Sequence, residues 1–481
     1  MDRQRRRPGQ PASGGGGAGG DHRTERAGMS NQRSWLLLPI ETKVREFHAK
    51  LLLAAVAAES GFQVLLGEQN AMLAQRRHLP RGIYIDKSVG RTKTGNFRRL
   101  KAAGSPVAAW CEEGLVYRDR DTYLHERVSN ESLAEASLFF AWGEVQAADV
   151  RRKAPEAADK IRISGNPRFD LLRPEWRGLF APEAEALSRR FGPYLLLNSN
   201  FSRFNHFMGY DFWIEALKQR GTITNQSQLD FFMHWRDFLG EVFRGFTAAL
   251  PVLAQAFPDH RLIVRPHPSE DHDEWRRQAQ GLANVEVIYE GSVIPWLLAA
   301  EVVLHNSCTT GLEAYLLGRP VVAYRPASNE ILDSELPNAV SRQAFELDEL
   351  VAVIGEVLEG GAAEAVDGAQ AARYVAALDG PLAAEQVVAA LDEIAVPGVP
   401  LALGPAARLG LAASQTVTAV KPWARRLRQG AKANAYAAQK FPGIELAEVA
   451  AGLQQFRQLS GRFVEVKAEA LPLRHCFRLG A

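Results

Sequence analysis

His267 lies between two prolines in the run Arg265-Pro266-His267-Pro268-Ser269-Glu270. Each proline fixes φ and removes a backbone donor, so the imidazole is held on a stiff loop. The loop follows the β-rich run Arg261-Leu262-Ile263-Val264-Arg265, and in open α/β sheets ligands bind at the carboxyl ends of strands. A second such run, Val302-Val303-Leu304, feeds His305-Asn306-Ser307-Cys308-Thr309-Thr310-Gly311 and then the helical pattern Leu312 to Leu317. Ser307, Thr309, Thr310 and Gly311 at a helix start would offer hydroxyls, backbone N–H groups and the positive end of a helix dipole to a phosphate. Thr310 and Glu313 also fit the capping box S/T-x-x-E, which needs no ligand.

Glu112 and Glu113 follow the strand-like run Pro106 to Trp110 and precede Gly114. Adjacent carboxylates at a strand end suit a general base, since each raises the proton affinity of the other. A solvated surface pair is the plainer alternative. Asn198 and Ser199 end the run Tyr194 to Leu197 in the same way, with small polar side chains. The charged loop Glu41-Thr42-Lys43-Val44-Arg45-Glu46 after the first strand reads equally as a solvated charge run or as a loop that touches a substrate. Cys308 has no base beside it and reads as a small turn residue rather than a nucleophile.

These loops need sheets to hold them. Short buried runs alternate with helical patterns from Trp35 to Ile163 and again from Tyr194 to Tyr324, which predicts two doubly wound parallel sheets facing a cleft. The expected organisation is a disordered leader over 1–30, an acceptor-side domain over 31–185, a nucleotide-binding domain over 186–395 and a helical extension over 396–481 that packs back on both. Ser164-Gly165-Asn166-Pro167-Arg168-Phe169-Asp170 reads as the boundary segment. The aromatic stripe Trp235, Phe238, Phe243 and Phe246 reads as core. Within the extension, Pro442 to Val464 is expected to be a closing helix and Val464 to Phe477 a mixed tail.

Composition bounds the partners. Hydrophobic residues are 46% and charged residues 23% of the 481 residues, as in globular proteins. A net charge of +2 gives no footprint for nucleic acid, so any anion site must be local. Cys111, Cys308 and Cys476 are far apart with no CxxC, which excludes a disulfide framework or zinc site and fits the cytoplasm. No apolar run reaches the roughly 18 residues of a membrane span. The Arg-rich, Gly-rich front has no apolar core of a signal peptide, and translation is expected to start at Met29. The basic stretch 420–432, with Trp423 and Leu427, reads first as a solvated helix face and second as a peripheral contact with an anionic membrane.

Taken together, Arg265-Pro266-His267-Pro268, then Ser307-Cys308-Thr309-Thr310-Gly311-Leu312-Glu313 with Gly318-Arg319-Pro320, resemble the HP and Ser/Thr donor-site motifs of GT-B glycosyltransferases. With Pro39-Ile40-Glu41-Thr42-Lys43, Cys111-Glu112-Glu113-Gly114, Ser164 to Asp170 and Lys440-Phe441-Pro442-Gly443, the chain is similar to the bacterial surface carbohydrate biosynthesis family. The resemblance implies a GT-B fold and transfer of a sugar from a nucleotide-activated donor such as CMP-Kdo to a glycan or lipid-linked acceptor. It implies His267 at the donor phosphate or leaving oxygen, and Arg265, Asn198, Ser199, Ser307, Thr309, Thr310 and Gly311 around the donor. Glu313 would accept from ribose hydroxyls, Glu112 or Glu113 would act as base, and neither metal nor other cofactor is expected. Cys308-Thr309 and Cys111-Glu112-Glu113 depart from the Ser-Ser or Ser-Thr pair and the Asp-Glu-Glu run expected of the motifs. The alternatives are polyol-phosphate transfer from a CDP-alcohol, epimerisation of a UDP-sugar at C2, and a GT-B-like scaffold without turnover.

Overall fold

The computed structural model describes residues 34–117, 119–360, 368–398 and 441–481. The leader and the basic stretch 420–432 lie outside them. The first sheet contains β1 (Trp35–Ile40), β2 (Gln63–Glu68), β3 (Ile83–Asp86), β4 (Val107–Ala109), β5 (Leu138–Ala141) and β6 (Ile161–Ile163), all parallel. Its parallel part runs in the order β2-β1-β3-β4-β5-β6. The second contains β7 (Tyr194–Asn198), β8 (Arg261–Arg265), β9 (Val285–Val287), β10 (Val302–His305), β11 (Val321–Tyr324) and β12 (Arg342–Ala344), in the Rossmann order β9-β8-β7-β10-β11-β12.

Both sheets are covered on both faces, which explains why their strands read as unbroken apolar runs. Leu36, Leu38 and Ile40 of β1 enter one core while Trp35 and Leu37 enter another. Leu195 and Leu197 of β7 are likewise separated from Tyr194 and Leu196. The 31-residue helix Gln226–Ala256 covers one face of the second sheet, and its Trp235, Phe238, Phe243 and Phe246 are buried there, as the stripe predicts. The fold is therefore α/β with two doubly wound sheets, the GT-B arrangement.

Two elements fall elsewhere than their place in the chain suggests. The helix Ala383–Leu391, expected in the second domain, contributes Ala384, Val387, Val388 and Leu391 to the core around the helix Lys43–Glu59 of the first. Its apolar face is complementary to that alanine- and leucine-rich helix, so the chain crosses back. The extension contains the expected helix, Leu446–Ser460, but the mixed tail is a hairpin, β13 (Lys467–Ala470) and β14 (Cys476–Gly480). β14 pairs antiparallel with β2 and places the hairpin on the edge of the first sheet.

The boundary segment holds this return crossing. Asn166 caps a short helix, Pro167–Asp170, by accepting from the Arg168 N–H at 3.0 Å. The fully buried Asp170 carboxylate accepts from the N–H groups of Ala383 and Ala384 at 2.7 and 2.9 Å. Burial pushes its pKa up to about 7 against the pull of those two donors. Arg173 donates to the carbonyls of Ala377, Asp379, Gly380 and Pro381. No helix among the described residues is long and apolar enough to cross a membrane.

Candidate functional site

Register brings three of the expected loops level with one another. Asn198, the last residue of β7, pairs with Arg265 on one side and with His305 on the other. β7 and β10 are also where the strand order reverses, the usual ligand position in such sheets. The loops open on a cleft of about 1330 Å³ whose other wall carries Arg45, Lys87, Glu112 and Glu113 from the first sheet.

His267 is half-buried and lines the cleft. Its Nδ1 accepts from the Ser269 N–H at 3.2 Å, leaving Nε2–H as the donor of the neutral ring. Burial lowers its pKa to about 4 and outweighs the nearby Glu113 carboxylate, so the ring is neutral at neutral pH. The loop is held by Glu270, a residue the proline-rich sequence did not single out. This buried carboxylate accepts from the N–H groups of His267 and Phe201, from Ser199 Oγ and from Trp275 Nε1, all at 2.8–3.1 Å. Burial raises its pKa against those donors.

The loop after β10 is built around two buried side chains. His305 Nε2 meets Ser341 Oγ at 2.8 Å, and burial lowers its pKa to about 3. A Cβ built on Gly311 would lie 2.4 Å from that nitrogen, so glycine is what lets the helix start pass over the ring. Asn306 ties the loop to its neighbour, accepting from the Asn200 N–H at 2.9 Å and donating to the Asn200 carbonyl at 3.1 Å. Ser307 adopts φ +57°, a left-handed conformation that costs a non-glycine residue roughly 1–3 kcal/mol and is often found at functional loops.

The helix after this loop is Thr309–Leu316 with Cys308 at its N-cap and no side-chain cap, so Thr310 and Glu313 form no capping box. Thr310 Oγ1 accepts from Asn198 Nδ2 at 2.9 Å. Thr309 is half-buried and lines the cleft. The Cys308 thiol is buried and pushed up in pKa, as a turn residue rather than a nucleophile would be.

Several predicted site residues are occupied by the protein itself. Ser307 Oγ donates to Asn338 Oδ1 at 2.9 Å, and Ser199 to Glu270. Arg265 stacks over Tyr289 and donates to the carbonyls of Glu290 and Gly291. Glu313 is buried and bound to Arg168 Nη2 at 2.8 Å rather than open to a ribose. Burial raises its pKa, against the pull of Arg168, Arg45 and Arg265. These groups shape the site from behind.

The two carboxylates on the opposite wall differ. Glu112 has both oxygens engaged, one by Trp110 Nε1 at 2.7 Å and one by Arg168 Nη1 at 3.5 Å. The Glu113 side chain is 51% exposed to the cleft and, among the described residues, pairs only with Arg45, at 3.4 Å. Burial would raise its pKa, but Arg45, Arg127, Lys87 and Arg168 together hold it below the usual carboxylate value. Arg45 is placed by the helix Lys43–Glu59, which starts earlier than the sequence suggested. Buried Glu46 folds the loop onto that helix by accepting from the N–H groups of Glu41 and Thr42 and from Lys50. Glu41 is held by Lys87 at 2.5 Å.

Arg168 thus joins Glu112 of one wall to Glu313 of the other, while its guanidinium lies 6.0 Å from the Trp142 ring. Sequence reasoning placed Arg168 in the boundary without a partner, since Glu313 is 145 residues away.

No family model and no curated protein matches this sequence. Solved structures do. The chain is similar to the UDP-GlcNAc 2-epimerase of Methanocaldococcus jannaschii, at 12% identity and TM-score 0.48, over 75% of this chain and 99% of that one. It is similar to the UDP-GlcNAc 2-epimerase of Neisseria meningitidis bound to UDP-GlcNAc, at 12% identity and TM-score 0.47, over 75% and 100%. Anabaena HepE in complex with UDP-glucose is similar at 13% identity and TM-score 0.37, over 75% and 95%.

Proposed function

We propose that this chain is a glycosyltransferase that takes a sugar from a nucleotide-activated donor and passes it to a glycan. The observation that carries the reading is the placement of a neutral imidazole donor, His267, and the start of the helix Thr309–Leu316 on one wall, with the open carboxylate of Glu113 on the other.

In this reading the donor phosphate sits against the N–H groups and hydroxyls of Thr309 and Thr310. The acceptor hydroxyl oxygen forms a bond to the anomeric carbon as the bond from that carbon to the phosphate oxygen breaks. The departing electron pair stays on the phosphate oxygen, where His267 Nε2–H and the helix start offset the charge. Glu113, ionised at neutral pH, takes the acceptor's proton. Arg45 orients that carboxylate.

The cleft has room for a donor and an acceptor together. A site for a single small ligand typically measures roughly 300–1,000 Å³, and this cleft is larger.

The test is to incubate the protein and a mixture of short glycan acceptors with UDP-GlcNAc, UDP-glucose, CMP-Kdo and CDP-glycerol in turn and follow each by proton NMR. Release of free nucleotide from one sugar donor, abolished by His267→Ala, is the expected result. New sugar signals with the nucleotide still attached would overturn it in favour of epimerisation. CMP released from CDP-glycerol alone would overturn it in favour of polyol-phosphate transfer.

A further inference from the structure

The segment after β7 brings a different chemistry to the same cleft. This segment is fastened to the His267 loop: Phe207 N–H donates to the Ser269 carbonyl at 3.1 Å and Asp271 N–H to the Asn205 carbonyl at 2.8 Å. Asn205 Nδ2 returns a bond to the Asp271 carbonyl at 3.1 Å. It then presents aromatic rings. His206 stacks on Phe212 with centroids 4.3 Å apart, and Arg203 lies over Trp213 at 5.3 Å and over Trp235 at 4.2 Å. Phe212 is 41% exposed and lines the cleft.

Arginines line the same cleft. Arg220 lines the cleft on the same side, and Arg91 and Arg127 line it from the first sheet's side. All three are exposed, and none has a carboxylate within ion-pair range among the described residues. Most other cations of the cleft are already engaged, as Arg45, Lys87, Arg168 and Arg265 are. Arginines that make no ion pair, lining one cleft with an exposed Phe212 ring, call for an anionic ligand with apolar faces. The surface is the wall of a cleft, which admits a chain and excludes a bilayer.

We infer that this part of the cleft is a subsite for an acidic oligosaccharide, with Phe212 and Trp213 under the C–H faces of its sugar rings and Arg91, Arg127 and Arg220 on its carboxylates. Planar rings present large contact area at little entropic cost, and guanidinium pairs with carboxylate in a two-pronged geometry. The inference rests on the transferase reading, in which the ligand's end would lie beside Glu113 as the acceptor.

The test uses the full chain, a short oligogalacturonate and a malto-oligosaccharide of the same length, with tryptophan fluorescence as the readout. The oligogalacturonate should bind and weaken with salt, and the neutral chain should not bind. The combined Arg91→Ala, Arg127→Ala and Arg220→Ala variant should bind it about tenfold more weakly, since each exposed pair contributes modestly. Phe212→Ala should also weaken it. Equal binding of the neutral chain, unchanged binding by the triple variant, or no oligogalacturonate binding by a protein that is stabilised by a nucleotide would each overturn the inference. Oligogalacturonate binding by a protein that no nucleotide stabilises would instead sink the transferase reading and leave the subsite standing.

Discussion

Gly311 shows how a single residue type is dictated from across the fold. In a helix, glycine to alanine ordinarily stabilises by roughly 0.5–1 kcal/mol. Here the added methyl would meet the buried His305 ring, which Ser341 holds in place. Gly311→Ala should therefore destabilise, by about 1–3 kcal/mol as for other overpacked cores, and urea denaturation will show the sign. His267 makes a pH prediction. Its folded pKa of about 4 lies below the ordinary 6.5 of an imidazole, because burial disfavours the charged ring. The stability it contributes is fully present above pH 6.5 and lost as pH falls through 4. Wild type should thus lose more stability than His267→Asn between pH 7.5 and pH 4.5, in paired denaturation curves. A gap that stays constant would mean a solvated ring.

At the scale of elements, the Arg168 guanidinium links the walls of the cleft. Arg168→Met would leave Glu112 and Glu313 buried without their shared cation, and losing one partner of a buried pair costs about 3–5 kcal/mol. We expect a loss near the lower figure, because the Arg168 side chain keeps 15% exposure, together with weaker nucleotide binding. A variant as stable as wild type by thermal unfolding would show that the link is idle. The strands β1 to β11 were legible in the sequence because each is a short, largely apolar run between turn residues, and so were the loops at their ends. The linkages between loops were not. Glu270 reads as loop until Phe201 and Ser199, some seventy positions earlier, come to face it. The same holds for Ser307, whose hydroxyl looked free until Asn338 folded against it. The three-residue β12 is polar, and β13 is Lys-Ala-Glu-Ala, mostly exposed. Neither has an apolar period to read; a neighbouring strand's open edge makes each a strand.

Across the whole molecule, the chain passes from first sheet to second and then returns. The Asp170 and Arg173 contacts hold that return, and β14 closes the edge of β2 with Phe477 and Leu479 in the core. Deleting 464–481 should uncover that edge and its apolar face, giving a chain that is largely insoluble or melts several degrees lower. Unchanged solubility and melting would make the hairpin an ornament. The closed arrangement matters because it places the loops of both sheets around one cleft, and the central claim is that this cleft takes a nucleotide against His267 and the helix start at Thr309. The most direct test is thermal unfolding with CMP, CDP, UDP and GDP in turn, for wild type and His267→Ala. A ligand at about a hundred times its dissociation constant stabilises by roughly 2.7 kcal/mol, a shift of a few degrees. The account predicts that shift for one nucleotide and its loss in the variant. No shift with any nucleotide, or the same shift in both proteins, would contradict it.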